Sequence, residues 1–325
     1  MVAFWIVSIK LYCGKGINTF YRKETNTKIF RLWKLYGDSS ETFSFKTKIK
    51  VQKIIPHIFL TLLLGILANS KIPFIKNILI KGFINIYRPN LKEAKYNEIS
   101  HYQSYNDFFV RKLRDDAREV DWSDNVVISP VDGEIVDYGK IKDGQLIQAK
   151  KHKYSIIDLV GEDDGRFFDE GFFITIYLAP TDYHRIHCPF DGEIINTKHL
   201  GTSLFSVNKS AQSGIPQLYI KNERSVLNVN SENFKYSLVS VGASVVGSIV
   251  PFWANESLDS RKSLIESWNK GPEKNCMVKK GGEIAHFRMG STVILIFENC
   301  NDIDLDSLKE NKRVKFGEKL VSLKK

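Results

Sequence analysis

The chain has 325 residues, 43% of them apolar, and a net charge of +10 at neutral pH. That length holds one large domain or two smaller ones, and the apolar share suffices for a packed core. Residues 1–90 carry 15 Lys/Arg against 3 Asp/Glu, leaving 32 against 34 in the remainder, so the positive charge describes only the N-terminal quarter. The four cysteines (Cys13, Cys188, Cys276, Cys300) show neither metal-ligand nor redox spacing, which fits a reduced, cytoplasm-facing protein.

In chain order, residues 1–50 read as an extension of unknown role. Met1–Leu11 is apolar, but no basic segment precedes it and no convincing small-residue cleavage site follows, so it is not read as a secretory signal. The basic and aromatic residues after it fit a mitochondrial-type presequence or a peripheral membrane arm equally well.

Residues 51–88 are strongly apolar in two segments. Ile54–Ala68 is short for a membrane span and contains Pro56, His57 and Gly65. Ile72–Tyr87 carries Lys76 and Lys81 among Phe74, Ile75, Ile78, Leu79, Ile80, Phe83 and Ile84. The pattern predicts two short amphipathic helices in an anionic membrane interface, where each basic residue contributes about 1 kcal/mol. A pair of helices buried in the protein is the alternative. Nucleic acid is not expected as a partner, because a basic patch alone does not need so many Leu and Ile.

Ser104-Tyr105-Asn106-Asp107 followed by apolar residues reads as a capped helix start. Near residue 115 the character changes to short strands separated by Gly and Asp turns. The expectation is an α+β protein: a helical membrane-associating region over 51–115, then a mainly antiparallel β domain over 116–325. Within the β part, Pro130-Val131-Asp132-Gly133-Glu134-Ile135 returns as Pro189-Phe190-Asp191-Gly192-Glu193-Ile194. Each copy carries Asp-Gly, the usual hairpin signal, and two similar units packed as a barrel or sandwich would explain the echo. Asp132 is either a turn former or a functional carboxylate.

Before the second copy, His184 and His187 stand in the stretch Tyr177–Pro189, flanked by prolines. A metal site needs a third ligand at a readable spacing, and none is evident. The pair is either structural or a source of general base near neutral pH. Near the end, Gly290-Ser291-Thr292 precedes the continuous apolar run Val293–Phe297, which reads as a buried strand. Gly290 permits a tight backbone that brings the Ser291 hydroxyl close to the preceding carbonyl, the geometry for attack of a serine on its own peptide bond. The ordinary reading is a turn entering a strand.

Taken together, these stretches resemble phosphatidylserine decarboxylase, the pyruvoyl-dependent membrane enzyme, in its bacterial form. The resemblance lies in Tyr105–Arg114, Ser129–Gly133, Gln148–Ser155, Asp182–Pro189, Leu204–Asn208, Lys221–Arg224, Val241–Ser248 and Lys280–Phe297, in that order. Met289 stands where the bacterial members usually have Leu, a volume-conserving exchange, and residues 1–45 have no counterpart in the compact bacterial enzymes.

The resemblance implies that Asp132, His187 and Ser291 form a self-processing triad, with His187 as base and Asp132 orienting its imidazole. Cleavage between Gly290 and Ser291 would leave chains 1–290 and 291–325 and turn Ser291 into a covalent pyruvoyl group, the cofactor. That group would form a Schiff base with the serine amine of phosphatidylserine and accept electrons as CO2 leaves, giving phosphatidylethanolamine. His184 would shape that later step. The resemblance further implies a heterodimer of the two cleavage chains, open to further dimerisation and requiring no metal. It would lie peripherally on the cytoplasmic face of a bacterial inner membrane. A zinc-dependent peptidase and a carrier-type β domain are the competing readings, though no modifiable Lys stands at a turn between hydrophobic neighbours as a carrier requires.

Overall fold

The computed structural model describes residues 64–149, 152–232, 234–243, 249–252, 264–266, 277–288, 291–298, 303–305 and 308–324. Helix α1 (Pro73–Tyr87) and the short α2 (Tyr105–Phe109) precede the β body. The strands follow as β1 (Val126–Ile128), β2 (Gly133–Lys140), β3 (Gln145–Gln148), β4 (His152–Ser155), β5 (Phe172–Leu178), β6 (Arg185–His187), β7 (Gly192–Leu200), β8 (Arg224–Asn230) and β9 (Lys235–Gly242). Then come β10 (Ile249–Pro251), β11 (Leu264–Glu266), β12 (Met277–Val278), β13 (Glu283–Phe287), β14 (Ser291–Phe297), β15 (Ile303–Asp304), β16 (Arg313–Val314) and β17 (Lys319–Leu323). The protein is α+β, with antiparallel pairing throughout its named sheets.

A nine-stranded sheet in the order β11-β7-β8-β9-β14-β5-β2-β16, with β12 also on β7, forms the platform. The apolar run Val293–Phe297 is the body of β14, near its middle, paired over seven positions with β5 and over seven with β9. Side chains alternate along a strand, so Val293, Leu295 and Phe297 enter the core on one face. Ile294 and Ile296 enter a second core on the other. The first core is closed by the small sheet β10-β13-β6, through Ile249, Ile186, Ala285 and Phe287. The second is closed by the helices around Ile156–Val160 and Leu218–Lys221.

The echoed motif leads into β2 and β7, each second from one end of the platform. Neither Asp-Gly is a hairpin turn, contrary to the expectation, because the strands flanking each belong to different sheets: β1 pairs with β17, and β6 with β13. The glycines answer to close approach instead. A Cβ at Gly133 would lie 2.6 Å from the Tyr177 carbonyl oxygen, and one at Gly192 2.8 Å from that of Asn230.

The expected helix cap is present. Ser104 Oγ accepts from Asp107 N at 3.1 Å, and the Asp107 carboxylate accepts from Gln103 N at 2.8 Å. Helix α1 starts at Pro73 and ends with Arg88 in the left-handed region (φ 49°), just before Pro89. It buries Ile78, Leu79, Ile80 and Phe83, and Phe83 meets Tyr105, Phe108 and Phe109 edge-on at 5.8–5.9 Å between centroids. Helix α1 thus spends one face on α2, which leaves its other face for any membrane interface. Lys76 is on that inner face, with Nζ donating to the Tyr102 carbonyl at 2.8 Å. Of the first segment only residues 64–68 lie within the described residues, helical, with Leu64 and Ala68 in the same cluster. Among the described residues no helix is long and apolar enough to cross a membrane.

Lys76 is thus a structural donor rather than a surface charge. Lys76→Ala is expected to lower stability by about 2 kcal/mol, because it leaves a buried carbonyl without its donor. Lys81→Ala, on the exposed side of the same helix, should stay within about 0.5 kcal/mol of the parent. Urea midpoints of the two variants check this, and equal midpoints would contradict it.

Candidate active site

The pattern that makes β14 a buried strand also places Ser291 at its head. Ser291 lies between Leu178 on β5 and Gly242 on β9 and has no exposed surface. Its position two before Val293 puts its side chain on the first-core face, beneath the small sheet that carries β6. Its Oγ has no hydrogen-bond partner among the described residues. A buried hydroxyl left unpaired costs about 1–3 kcal/mol, and such a group in a folded protein calls for an explanation. Gly290 and Met289, and with them the expected cleavage junction, lie outside the described residues.

The two histidines occupy different environments although three residues apart. His184 immediately precedes β6 and is still tied to β13, because Phe287 N donates to its carbonyl at 2.9 Å. Strand alternation gives it the same side as Ile186 and Cys188, which enter the first core. Its Nδ1 lies 2.8 Å from the Asp182 carbonyl and must donate to it, leaving the Nε2 lone pair free. No partner meets Nε2 among the described residues. Burial pushes the His184 pKa down to about 3 despite the Asp182 bond, so the ring is neutral at physiological pH. Phe109 of α2 packs on it at 4.2 Å between centroids.

His187 is committed at both nitrogens. Nδ1 donates to the Gly281 carbonyl at 2.8 Å, and Nε2 stands 2.9 Å from the Tyr183 hydroxyl, which donates to it. Burial pushes its pKa down to about 4 and raises that of Tyr183, so a neutral imidazole accepts from a protonated phenol. The ring stacks on Phe316 at 3.6 Å.

Asp132 is buried and takes three donors: Arg118 Nε at 3.3 Å, Arg118 Nη2, and Phe316 N at 2.8 Å. Burial raises its pKa above the ordinary carboxylate value, while Arg118 and the Phe316 N–H pull the other way. Asp132 and His187 do not bond to each other. They meet at Phe316, whose backbone N–H serves the carboxylate and whose ring covers the imidazole. The structure thus joins Asp132, His187, Arg118, Tyr183 and Phe316 in one cluster, and leaves Ser291 Oγ and His184 Nε2 as buried atoms without a partner among the described residues.

Of the added residues, Tyr183 was open to discovery, since it stands between Asp182 and His184. Arg118 and Phe316 carried no local signal. Phe316 contributes a backbone N–H and a ring from 184 positions beyond Asp132. Among the described residues no group of three His, Cys, Asp or Glu side chains is arranged to hold a metal ion.

Comparison with known proteins matches this chain to one family. The family model described as Phosphatidylserine decarboxylase matches residues 105–322, and a second, described as PSD, matches residues 47–88. The phosphatidylserine decarboxylase proenzyme of Hamiltonella defensa subsp. Acyrthosiphon pisum is 40% identical over 271 residues, covering 82% of this chain and 94% of the relative. That of Pseudoalteromonas translucida is 42% identical over 271 residues, with the same coverage of each. That of Coxiella burnetii is 42% identical over 250 residues, 76% of this chain and 88% of the relative. Spanning nearly their full length at this identity, the chain belongs to the phosphatidylserine decarboxylase family.

Proposed function

We propose that this chain converts phosphatidylserine to phosphatidylethanolamine and CO2, after cutting itself between Gly290 and Ser291 to turn Ser291 into a pyruvoyl group. The observation that carries the reading is Ser291: a wholly buried hydroxyl, without a partner among the described residues, at the head of the central strand and directly after a glycine in the sequence. The relatives are named proenzymes, which fits a chain cut during maturation.

In self-cleavage Ser291 Oγ loses its proton to a base and attacks the Gly290 carbonyl, exchanging the amide for an ester. Elimination across Ser291 then releases the chain ending at Gly290 as a carboxylate. The dehydroalanine left behind takes up water and loses ammonia. His187 is the proposed base and Asp132 the carboxylate that balances its charge. Since Nε2 of His187 is held by Tyr183, this route has His187 exchange Tyr183 for Ser291, and ground-state hydrogen bonds do not exclude such a change.

Position 291 fits the resulting group, because conversion of the serine breaks no hydrogen bond of its Oγ among the described residues. When present there, the pyruvoyl group supplies an electron-accepting carbonyl for loss of CO2. His184 is the residue proposed to manage the proton that ends on the substrate, its neutral ring and free Nε2 suiting that task. A zinc peptidase would need His184, His187 and Asp132 to converge on one ion, whereas Asp132 is engaged by Arg118 and His187 by Gly281 and Tyr183.

The proposed location is the surface of an anionic membrane, peripheral on the cytoplasmic face of a bacterial inner membrane. Ile66, Ile72 and Phe74 are 58–71% exposed beside the exposed Lys71 and Lys81, an apolar tip with basic flanks.

Denaturing electrophoresis of purified protein should show a C-terminal chain of about 4 kDa, 35 of the 325 residues in a 37.3 kDa chain. Ser291→Ala, His187→Ala and Asp132→Ala should each leave mostly full-length protein. A wild-type chain of one intact mass that decarboxylates normally would remove the mechanism.

His184→Ala is expected to cleave and form pyruvoyl yet turn over phosphatidylserine at least tenfold more slowly per pyruvoyl, the lower range for a general acid or base being about 100-fold. Normal turnover in that variant would return His184 to a packing role. An uncleaved His184→Ala beside a cleaving His187→Ala would make His184 the base for maturation.

Replacing Ile66, Ile72 and Phe74 by Ser should weaken binding to anionic liposomes without stopping cleavage. Lys71→Gln with Lys81→Gln should make the remaining binding less sensitive to salt. Cosedimentation equal to wild type in both variants would refute the docking tip.

A further inference from the structure

The two copies of the Pro-x-Asp-Gly motif provide an internal comparison. Each Asp accepts a backbone N–H from a distant turn: Asp132 from Phe316 at 2.8 Å, and Asp191 from Lys280 at 2.6 Å. Anchoring that turn is the shared structural duty. The surroundings of the two carboxylates differ. The Asp191 side chain is 49% exposed, with the exposed Lys279 as its only cation within bonding reach among the described residues. The Asp132 side chain is 10% exposed and faces Arg118, whose own side chain is 6% exposed. A carboxylate this dry is costly unless a cation meets it in good geometry. The arginine fork supplies two parallel donors, Nε and Nη2, which fix the plane of the carboxylate as well as its charge.

Arg118 is itself held from its far side. Nη1 reaches Glu93 Oε2 at 2.8 Å and the Ala117 carbonyl at 2.7 Å. Glu93 also takes Lys315 Nζ at 3.2 Å, next to Phe316. Four of the five N–H groups of the guanidinium therefore have acceptors, and it is held from both sides. Turn anchoring alone does not call for this, since Asp191 performs that duty without it.

We propose that Arg118 is a positioning residue of the self-cleavage machinery, acting through Asp132: its fork aims the buried carboxylate and keeps it ionised while His187 becomes charged. The proposal rests on Asp132 serving self-cleavage. The groups around Asp132 on the elements packed against it are Arg118, Arg111, Tyr183, Asp182 with its partner Arg313 at 2.5 Å, and His187 across the Phe316 ring. Asp182 and burial disfavour the carboxylate, and Arg118 is the largest opposing influence. Loss of its charge moves protonation of Asp132 to higher pH.

The test follows the fraction of purified full-length protein cleaved with time, across pH, in Arg118→Gln, Arg118→Lys, Asp132→Ala and Asp191→Asn. Arg118→Gln should mature at least tenfold more slowly at neutral pH, with the acid limb of its rate profile displaced upward by a unit or more. Added guanidinium ion should restore part of the rate. Arg118→Lys keeps the charge but not the fork, so its rate should fall while its acid limb stays near that of wild type. Asp191→Asn should mature normally. A wild-type rate and an unmoved limb in Arg118→Gln overturn the proposal, as does a wild-type rate in Arg118→Lys if the Gln variant does not fold. Normal maturation of Asp132→Ala would instead remove the reading beneath it, while a dead Asp132→Ala beside a normal Arg118→Gln removes only this one.

Discussion

Strand β14 is bonded on both edges and covered on both faces, with all seven of its residues buried. The architecture around it follows from that double burial, which needs two separate cores. One is closed by the small sheet that brings β6 and the histidine loop over the platform, and the other by short helices. It also fixes Ser291. A slip of one residue would send Val293, Leu295 and Phe297 to the wrong core and exchange Ser291 with Thr292. The serine's place is therefore enforced by apolar residues downstream of it, which have no part in its chemistry.

The same economy governs the carboxylates. Asp132 and Asp191 come from near-identical hexapeptides, immediately precede strands at equivalent places in the platform, and each hold a backbone N–H of a distant turn. Burial separates them. One carboxylate is half-exposed beside a lysine; the other is enclosed with an arginine whose Nη1 is taken by Glu93 and Ala117. The histidines diverge for a related reason. Neighbouring positions of an extended chain face opposite sides, so a spacing of three gives His184 and His187 different surroundings. One ring has a lone pair in the core that no described residue meets, and the other is fastened between Tyr183 and Gly281.

Helix α1 illustrates why amphipathic periodicity has two meanings. A helix lying on a membrane and a helix lying on its own protein need the same apolar stripe. Here Tyr105, Phe108 and Phe109 provide the covering surface for Phe83, and Lys76 finds a carbonyl inside. The apolar residues left over, Ile66, Ile72 and Phe74, cluster at the helix start rather than along its length. Because Phe109 continues from this cluster onto the ring of His184, the helical segment and the site share a contact.

By itself the sequence determined what depends on neighbours close along the chain. The cap at Ser104, the mainly antiparallel β body, the buried strand after Gly290-Ser291-Thr292 and the ordered motifs of the family were all legible there. Local backbone preference and alternation act over a few residues, and they suffice for such features. Tertiary structure alone decided that Asp132 meets Arg118 and Phe316 rather than His187, that His187 is held by Tyr183, and that Lys76 points inward. It also left Ser291 Oγ and His184 Nε2 without partners among the described residues. Those outcomes turn on burial and on hydrogen bonds between residues as far apart as 184 positions. Which charge is desolvated, and which donor remains to meet it, is settled only when the sheets close over one another.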